Sequence, residues 1–168
     1  LTASEIKGSL DQIGWQTFQV GFTGGVPLLR SDFEEILQYA AKKHRVNIVT
    51  NGILLTDELS ELIVDTGAFG VTVSVHGNEA IHDQITGIPG SFRKAIEGMR
   101  NIQEHKRRKL KAYPLIRINC VISPANVHVL HYVADTAADL GAASCSFQIC
   151  TPTTTNTALR LVEEIDGS

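Results

Sequence analysis

Apolar residues recur along the chain in two alternating periods, one typical of strands and one typical of helices. Alternating or β-branched runs predict strands at residues 18–23, 46–50, 70–76, 115–122 and 144–150. Apolar residues at helical intervals predict helices at residues 3–13, 31–43, 56–65, 91–106 and 126–140. Residues 77–90 show neither period and are interpreted as irregular.

Polar residues at the predicted helix starts occupy the positions of helix caps. Thr2 with Glu5, and Ser31 with Glu34, have the spacing of a capping box. The other predicted caps are Thr56, Ser91 and Asn126.

Strands that alternate with helices predict an α/β fold with parallel strands and right-handed connections. No linker rich in Pro, Gly or Ser divides the chain, so residues 1–168 are predicted to form a single domain. Composition and period leave two parallel architectures open, an open doubly wound sheet and a segment of a barrel.

Polar residues occupy one side of most predicted strands, whereas the opposite side is apolar. The polar side carries Gln19, Gly21 and Thr23, then Thr72, Ser74 and His76, then Arg117 and Asn119, and finally Ser144, Ser146, Gln148 and Cys150. A parallel sheet covered on both faces has nearly continuous apolar strands, so this pattern predicts one solvated face. We interpret that face as a cavity lined by strand residues; an antiparallel sheet with one face in bulk water is the alternative.

Composition narrows the class of protein and its partners. The 168 residues are 43% hydrophobic and 20% charged, which is typical of globular domains. Fifteen basic and eighteen acidic residues give a net charge of -3, so no positive field favours nucleic acid or an anionic membrane. Three cysteines are too few for a disulfide framework, and no apolar run is long enough for a membrane span. A cytoplasmic location is the expectation.

Candidate chemistry lies where the predicted strands end. Gly24 and Gly25 follow the first strand, and their amides could hold a carboxylate or an amino-acid end group, or simply form a turn. His76 follows the third strand and is a candidate base or donor, with a structural histidine as the alternative. His128 and His131 are interpreted as surface residues, because no further metal ligands accompany them. No metal site is predicted.

Five segments in order resemble the radical S-adenosylmethionine (radical SAM) family. They are TGGVPLLRSDF, VTNG, VTVSVHG, HDQITGIPGSF and RINCVISPANV, each at a predicted strand end. The resemblance implies a partial (β/α) barrel, of which residues 1–168 would be strands two to six with the first strand missing. It also implies two cofactors, S-adenosylmethionine (SAM) and a [4Fe-4S] cluster, and hydrogen abstraction by a 5′-deoxyadenosyl radical.

The resemblance assigns roles to individual positions. Gly24 and Gly25 match the glycine motif at the methionine end of SAM. Ser74, Asn119 and Gln148 match positions that contact the cofactor. The predicted substrate-binding residues are Thr50, His76 and Arg117.

Two departures from the family pattern stand beside these matches. The C-x3-C-x2-C loop that holds the cluster is absent, since Cys120, Cys145 and Cys150 have other spacings. Val26 stands where the family usually has a glutamate that pairs with the ammonium group of SAM. One explanation is a fragment that begins after the cluster loop; the other is a degenerate domain without a cluster.

Three functions are compatible with these residues. The first is the core of a radical SAM enzyme acting on a small molecule or peptide, with the cluster ligands outside this chain and the chain alone inactive. The second is a cluster-free module that binds a nucleoside or another small molecule. The third is a hydrolase or isomerase that uses His76 with His82 and Asp83. A missing first strand would also expose a sheet edge, which predicts edge-to-edge oligomers.

Overall fold

A computed structural model describes residues 1–13, 19–23 and 27–149. The helices are α1 Ala3–Ile13, α2 Phe33–Ala41, α3 Asp57–Thr66, α4 Glu79–Thr86, α5 Ser91–Arg108 and α6 Leu130–Asp139. The strands are β1 Gln19–Phe22, β2 Arg45–Thr50, β3 Gly70–Ser74, β4 Leu115–Ile122 and β5 Ser144–Ile149. Short 3₁₀ helices cover Pro27–Leu29 and Val127–Val129.

The five strands form one parallel sheet in the order β1-β2-β3-β4-β5. Because right-handed crossovers that all step in one direction return on the same side, sequential order places the helices on one face. A doubly wound sheet reverses direction and carries helices on both faces. The sequential parallel order therefore confirms the barrel-type prediction, and the antiparallel alternative is wrong.

The core lies between the sheet and this single helical layer. Every second residue is completely buried along β3 and just after it, and likewise in β4: Val71, Val73 and Val75, then Ile118 and Cys120. The helices contribute fully buried residues to the same core, among them Leu37, Ile63, Met99, Ile102 and Val133. The predicted apolar side of the strands is therefore the side that packs against helices.

Two predicted caps are confirmed at atomic detail. The amide of Thr2 donates to Glu5 Oε2 at 2.7 Å, and the amide of Glu5 donates to Thr2 Oγ1 at 3.2 Å, as a capping box requires. Thr56 Oγ1 accepts a hydrogen bond from the amide of Leu59 at the start of α3.

The caps predicted at Ser31 and Ser91 are wrong. Helix α2 begins at Phe33, and Asp32 at its N-cap is bonded by the guanidinium of Arg30 instead of capping the helix. Ser91 is the first residue of α5, and the carboxylate of Asp83 bonds that helix start from outside.

Helix α4 is the one described helix that the sequence pattern did not predict. Asn78 Oδ1 accepts from the amide of Ile81 at its start, and Gly87 adopts a left-handed conformation at its end. These are ordinary start and stop signals around a helix of eight residues, which is too short to show two apolar repeats.

Charges on the outer helices are paired locally. Lys109 bridges Glu61 and Asp65 of α3, while Arg107 and Arg108 both bond Glu104. The basic run at the end of α5 is thus a surface ion-pair network. Within residues 1–13, 19–23 and 27–149, no helix is long and apolar enough to cross a membrane.

Candidate functional site

Ser74 and Asn119 lie side by side on the face of the sheet that carries none of the described helices. Their backbones pair in the register between β3 and β4, so both side chains point away from the core. Asn119 Nδ2 donates to Gln148 Oε1 on β5 at 3.3 Å. The structure therefore brings together three predicted cofactor residues on three adjacent strands.

The carbonyl oxygen of the Asn119 side chain is an acceptor that no described residue uses. Asn119 Oδ1 is buried and has no hydrogen-bond partner within residues 1–13, 19–23 and 27–149. An unpaired buried polar atom costs about 1–3 kcal/mol, so this oxygen is a place where a ligand donor adds binding energy. Ser74, half-buried beside it, adds a hydroxyl that can donate or accept.

His76 follows β3 and is held by the main chain of β4. Its Nδ1 accepts from the amide of Val121 at 3.3 Å, and its ring stacks on His82 at a centroid distance of 5.7 Å. Burial lowers the pKa of His76, so the ring is neutral at pH 7. Because Nδ1 accepts, the proton of the neutral ring is on Nε2, which becomes a donor.

Asn126 ties the ends of β3 and β4 together. Its Nδ2 donates to the carbonyls of His76 at 2.9 Å and Val121 at 2.8 Å, and its Oδ1 accepts from the amide of Ser123 at 2.8 Å. The side chain is completely buried. The sequence pattern predicted only a helix cap here, but Asn126 makes no side-chain cap bond and instead positions the strand ends.

His82 and Asp83 do not form a catalytic pair. His82 Nδ1 accepts from the amide of His76, and Asp83 bonds the amides of Gly90 and Phe92. Burial, then the neighbouring His76, lowers the pKa of His82 to about 4. The bond from Phe92, which is the largest effect, holds the pKa of Asp83 below its usual range. Both groups serve the local fold, which removes the basis for the hydrolase interpretation.

Two predicted substrate residues lie apart from this group of side chains. Thr50 lies on the helix-facing side in register with Val73, is 3% exposed, and accepts from the amide of Gly52. Arg117 shares the polar face with Asn119, but its guanidinium extends back along the sheet to Asn47. Their contact with substrate stays a prediction. Gly24, Gly25 and Val26 lie outside the described residues.

The cysteines and outer histidines form no metal centre in the described part of the chain. Cys120 is buried in the core and Cys145 packs against it, both as free thiols on the helix-facing side. Cys150 lies outside the described residues. His128 and His131 are exposed, and residues 1–13, 19–23 and 27–149 contain no cluster of three ligand-type side chains.

Comparison with known proteins now identifies the family. The model of the radical SAM superfamily matches residues 1–119, more than half of the chain. The chain belongs to the radical SAM superfamily. Members of this superfamily use SAM and a [4Fe-4S] cluster, in agreement with the resemblance found in the sequence.

Radical SAM proteins of several kinds are similar to this chain. The AdoMet-dependent heme synthase of Methanosarcina barkeri is 31% identical over 91% of the chain and 43% of its own length. The mycofactocin maturase MftC of Mycolicibacterium smegmatis is 30% identical over 84% of the chain and 35% of its own length. The chain thus spans less than half of these relatives.

A solved structure with bound S-adenosylmethionine shares the fold. Streptococcus suis SuiB bound to S-adenosylmethionine superposes with a TM-score of 0.79, covering 99% of this chain and 40% of SuiB. The sequence identity is 16%, so the likeness concerns the fold.

The two cofactors of the radical SAM superfamily fit the described residues differently. The unused Asn119 Oδ1, with the Ser74 hydroxyl beside it, suits the hydroxyl and amino donors of SAM. The cluster does not fit, because Cys120 and Cys145 face the helical layer and lie on neighbouring strands without a third thiol among the described residues.

Proposed function

We propose that this chain is the SAM-binding segment of a radical SAM enzyme. Ser74, Asn119 and Gln148 hold SAM at the carboxyl ends of the strands, together with Gly24 and Gly25. The single observation that carries the proposal is the buried Asn119 Oδ1 beside Ser74, which in the described part of the chain has no hydrogen-bond partner and lies on a face without helices. Catalytic and binding residues of barrel folds gather at this end of the strands.

Each side chain makes a different contact with SAM or with the substrate. Asn119 Oδ1 accepts from a hydroxyl or amino group of SAM, while the bond from Asn119 Nδ2 to Gln148 fixes the orientation of the amide. His76 presents a neutral Nε2–H donor to the substrate, held in place by Val121. In the intact enzyme, bound SAM would supply a 5′-deoxyadenosyl radical for hydrogen abstraction once one electron from the [4Fe-4S] cluster cleaves it, with methionine as the other product.

The substrate is a small molecule or a peptide. The heme synthase relative is named for a small-molecule product, and SuiB has been solved with its precursor peptide SuiA. We also propose a cytoplasmic location, because Cys120 and Cys145 are both free thiols. The outer strands β1 and β5 each pair on one side in the described sheet, which supports edge-to-edge association of this chain.

A titration of the ¹⁵N-labelled chain with SAM, followed by NMR, tests the binding site. Chemical-shift mapping detects even millimolar affinity, so it does not depend on a cluster. We expect saturable shifts at Ser74 and Asn119, and at least tenfold weaker binding for Asn119→Ala, because one well-placed hydrogen bond is worth about 1.4 kcal/mol. Thr72→Val is the matched control, since Thr72 lies on the same face of β3 as Ser74, two residues before it.

Two outcomes contradict the binding proposal. One is the absence of any saturable shift at millimolar SAM. The other is equal weakening by Asn119→Ala and Thr72→Val, which would mean that the substitutions act through the fold.

A second experiment separates the enzyme from the cluster-free binding module. The parent gene upstream of Leu1 is read for a C-x3-C-x2-C motif, and the complete gene product is reconstituted with iron and sulfide and assayed for 5′-deoxyadenosine. The motif together with reductive SAM cleavage supports the enzyme. SAM binding without motif or cleavage supports the binding module.

A further inference from the structure

Arg117 crosses the polar face of the sheet from β4 to β2. Its Nη1 donates to Asn47 Oδ1, two strands away, at 2.8 Å. To reach Asn47, the Arg117 side chain crosses directly over Gly70 of β3. A Cβ added at Gly70 would collide with Arg117 Nη1 and with Asn47 Oδ1. The glycine therefore leaves the space in which the guanidinium lies.

This guanidinium has no negative partner among the described residues. Arginine stays charged at any physiological pH, and its planar group carries several N–H donors, of which Asn47 uses one. No Asp or Glu of the described residues forms an ion pair with Arg117, and the Phe69 ring lies 5.5 Å from its central carbon. A half-buried cation with an aromatic wall and one neutral acceptor has unused capacity for an anion.

Asn47 supplies a second unused donor at the same place. The residue is 6% exposed, and its Nδ2 is buried with no hydrogen-bond partner among the residues that the structure describes. The orientation of the amide follows from Arg117, since only the Oδ1 atom can accept from a guanidinium. A buried N–H that lacks an acceptor among the described residues therefore lies next to a half-buried guanidinium.

We propose that Arg117 and Asn47 form a carboxylate-binding subsite. One planar two-oxygen anion can accept from the guanidinium and from Asn47 Nδ2 together, which gives the unpaired amide donor an acceptor and the cation a negative partner. The subsite is level with Gly70, four residues before Ser74, or about 13 Å along the strand from the proposed SAM residues. It goes beyond the proposed function and does not depend on it.

The test follows the side-chain Nε–Hε resonance of Arg117 in the full chain while sodium acetate is added, with sodium chloride at equal ionic strength as the reference. Arg117→Met identifies the resonance. We expect a saturable shift with acetate and none with chloride. Asn47→Leu keeps the cation but removes the neutral donor, and we expect about tenfold weaker acetate binding.

Asn47→Asp gives the sharpest result, because it places a carboxylate within reach of Arg117. We expect this variant to lose its acetate response and to melt several degrees higher than the unsubstituted chain. Arg108→Met, which removes a surface arginine paired with Glu104, is the matched control and should leave the acetate response unchanged.

The source of the carboxylate is resolved by a second ligand. A Gly-Glu-Gly peptide with blocked termini that binds tighter than acetate indicates an acidic side chain, and equal or weaker binding indicates a free acid. An Arg117 resonance that responds equally to acetate and chloride overturns the proposal. So does a response to phosphate alone, or an Asn47→Asp variant that still binds acetate as the unsubstituted chain does.

Discussion

Replacing Asn126 by alanine should destabilise the chain more than any other single loss of an amide side chain near the site. The substitution removes the donors to the carbonyls of His76 and Val121 and the acceptor for the amide of Ser123. Three groups at a buried position lose partners, at about 1–1.5 kcal/mol each plus residual desolvation, so we expect a loss of about 3–5 kcal/mol. Urea denaturation followed by far-UV circular dichroism measures this loss in the free energy of unfolding. In a thermal melt, the same loss should lower Tm by about 10 °C.

The control for Asn126→Ala is Asn78→Ala. Asn78 makes one bond of the same kind, to the amide of Ile81 at the start of α4, and its loss should cost about 1 kcal/mol. If the two variants lose the same stability to within about 0.5 kcal/mol, Asn126 does not tie the strand ends together. Weakened SAM binding in a folded Asn126→Ser variant would further show that the tie positions His76 and its neighbours.

Three other predictions concern the helical layer. Gly98→Ala should destabilise the chain by about 1–2 kcal/mol, because the new Cβ meets the side chain and carbonyl of Leu55. Gly8→Ala adds a Cβ in open space and should stabilise the chain by about 0.5–1 kcal/mol, and thermal denaturation compares the two variants. The pKa of His82 is about 4 in the folded chain and 6.5 in the unfolded chain, so the unfolded chain binds a proton at higher pH. The free energy of unfolding therefore falls by roughly 3 kcal/mol as pH drops from 6.5 to 4. His82→Asn, which keeps an acceptor near the Nδ1 position, should flatten that stretch of a urea-midpoint profile, and an unchanged slope contradicts the assignment. Asp83 has a lowered pKa, so its contribution is present at neutral pH and lost as pH falls through the folded value; Asp83→Asn should lower stability at pH 7 and reduce the acid sensitivity below pH 4.

Strand parity was enough to predict the two faces of the sheet. Each predicted strand has apolar residues at every second position, and burial of Val71, Val73 and Val75 follows from that period alone. The polar face was predicted for the same reason, and Ser74 and Asn119 lie on it as neighbours. Periodicity therefore predicted the two faces of a parallel α/β sheet and half of the candidate site, whereas the strand order was needed to choose a barrel segment over a doubly wound sheet.

The position of a long side chain along the strand was beyond the reach of periodicity. Arg117 was expected beside Asn119 at one end of the sheet, but its guanidinium lies at the other end, because Gly70 leaves space and Asn47 accepts. Both of those residues come from other strands, and only the register brings them together. Asn47 itself was detectable as an amide within an otherwise apolar β-branched run.

The order of the strands also bears on how the chain folds. Each strand pairs with the next one in sequence, so a sheet can grow by one strand and helix at a time as the polypeptide leaves the ribosome. The largest loop to close is the one between β3 and β4, since Gly70 pairs with Leu115 and both α4 and α5 lie between them. We expect the closure of this loop to limit the folding rate. The contacts of Asp83 with the start of α5 hold α4 and α5 together within the loop, and so reduce the number of loop conformations that must be sampled before β3 and β4 pair.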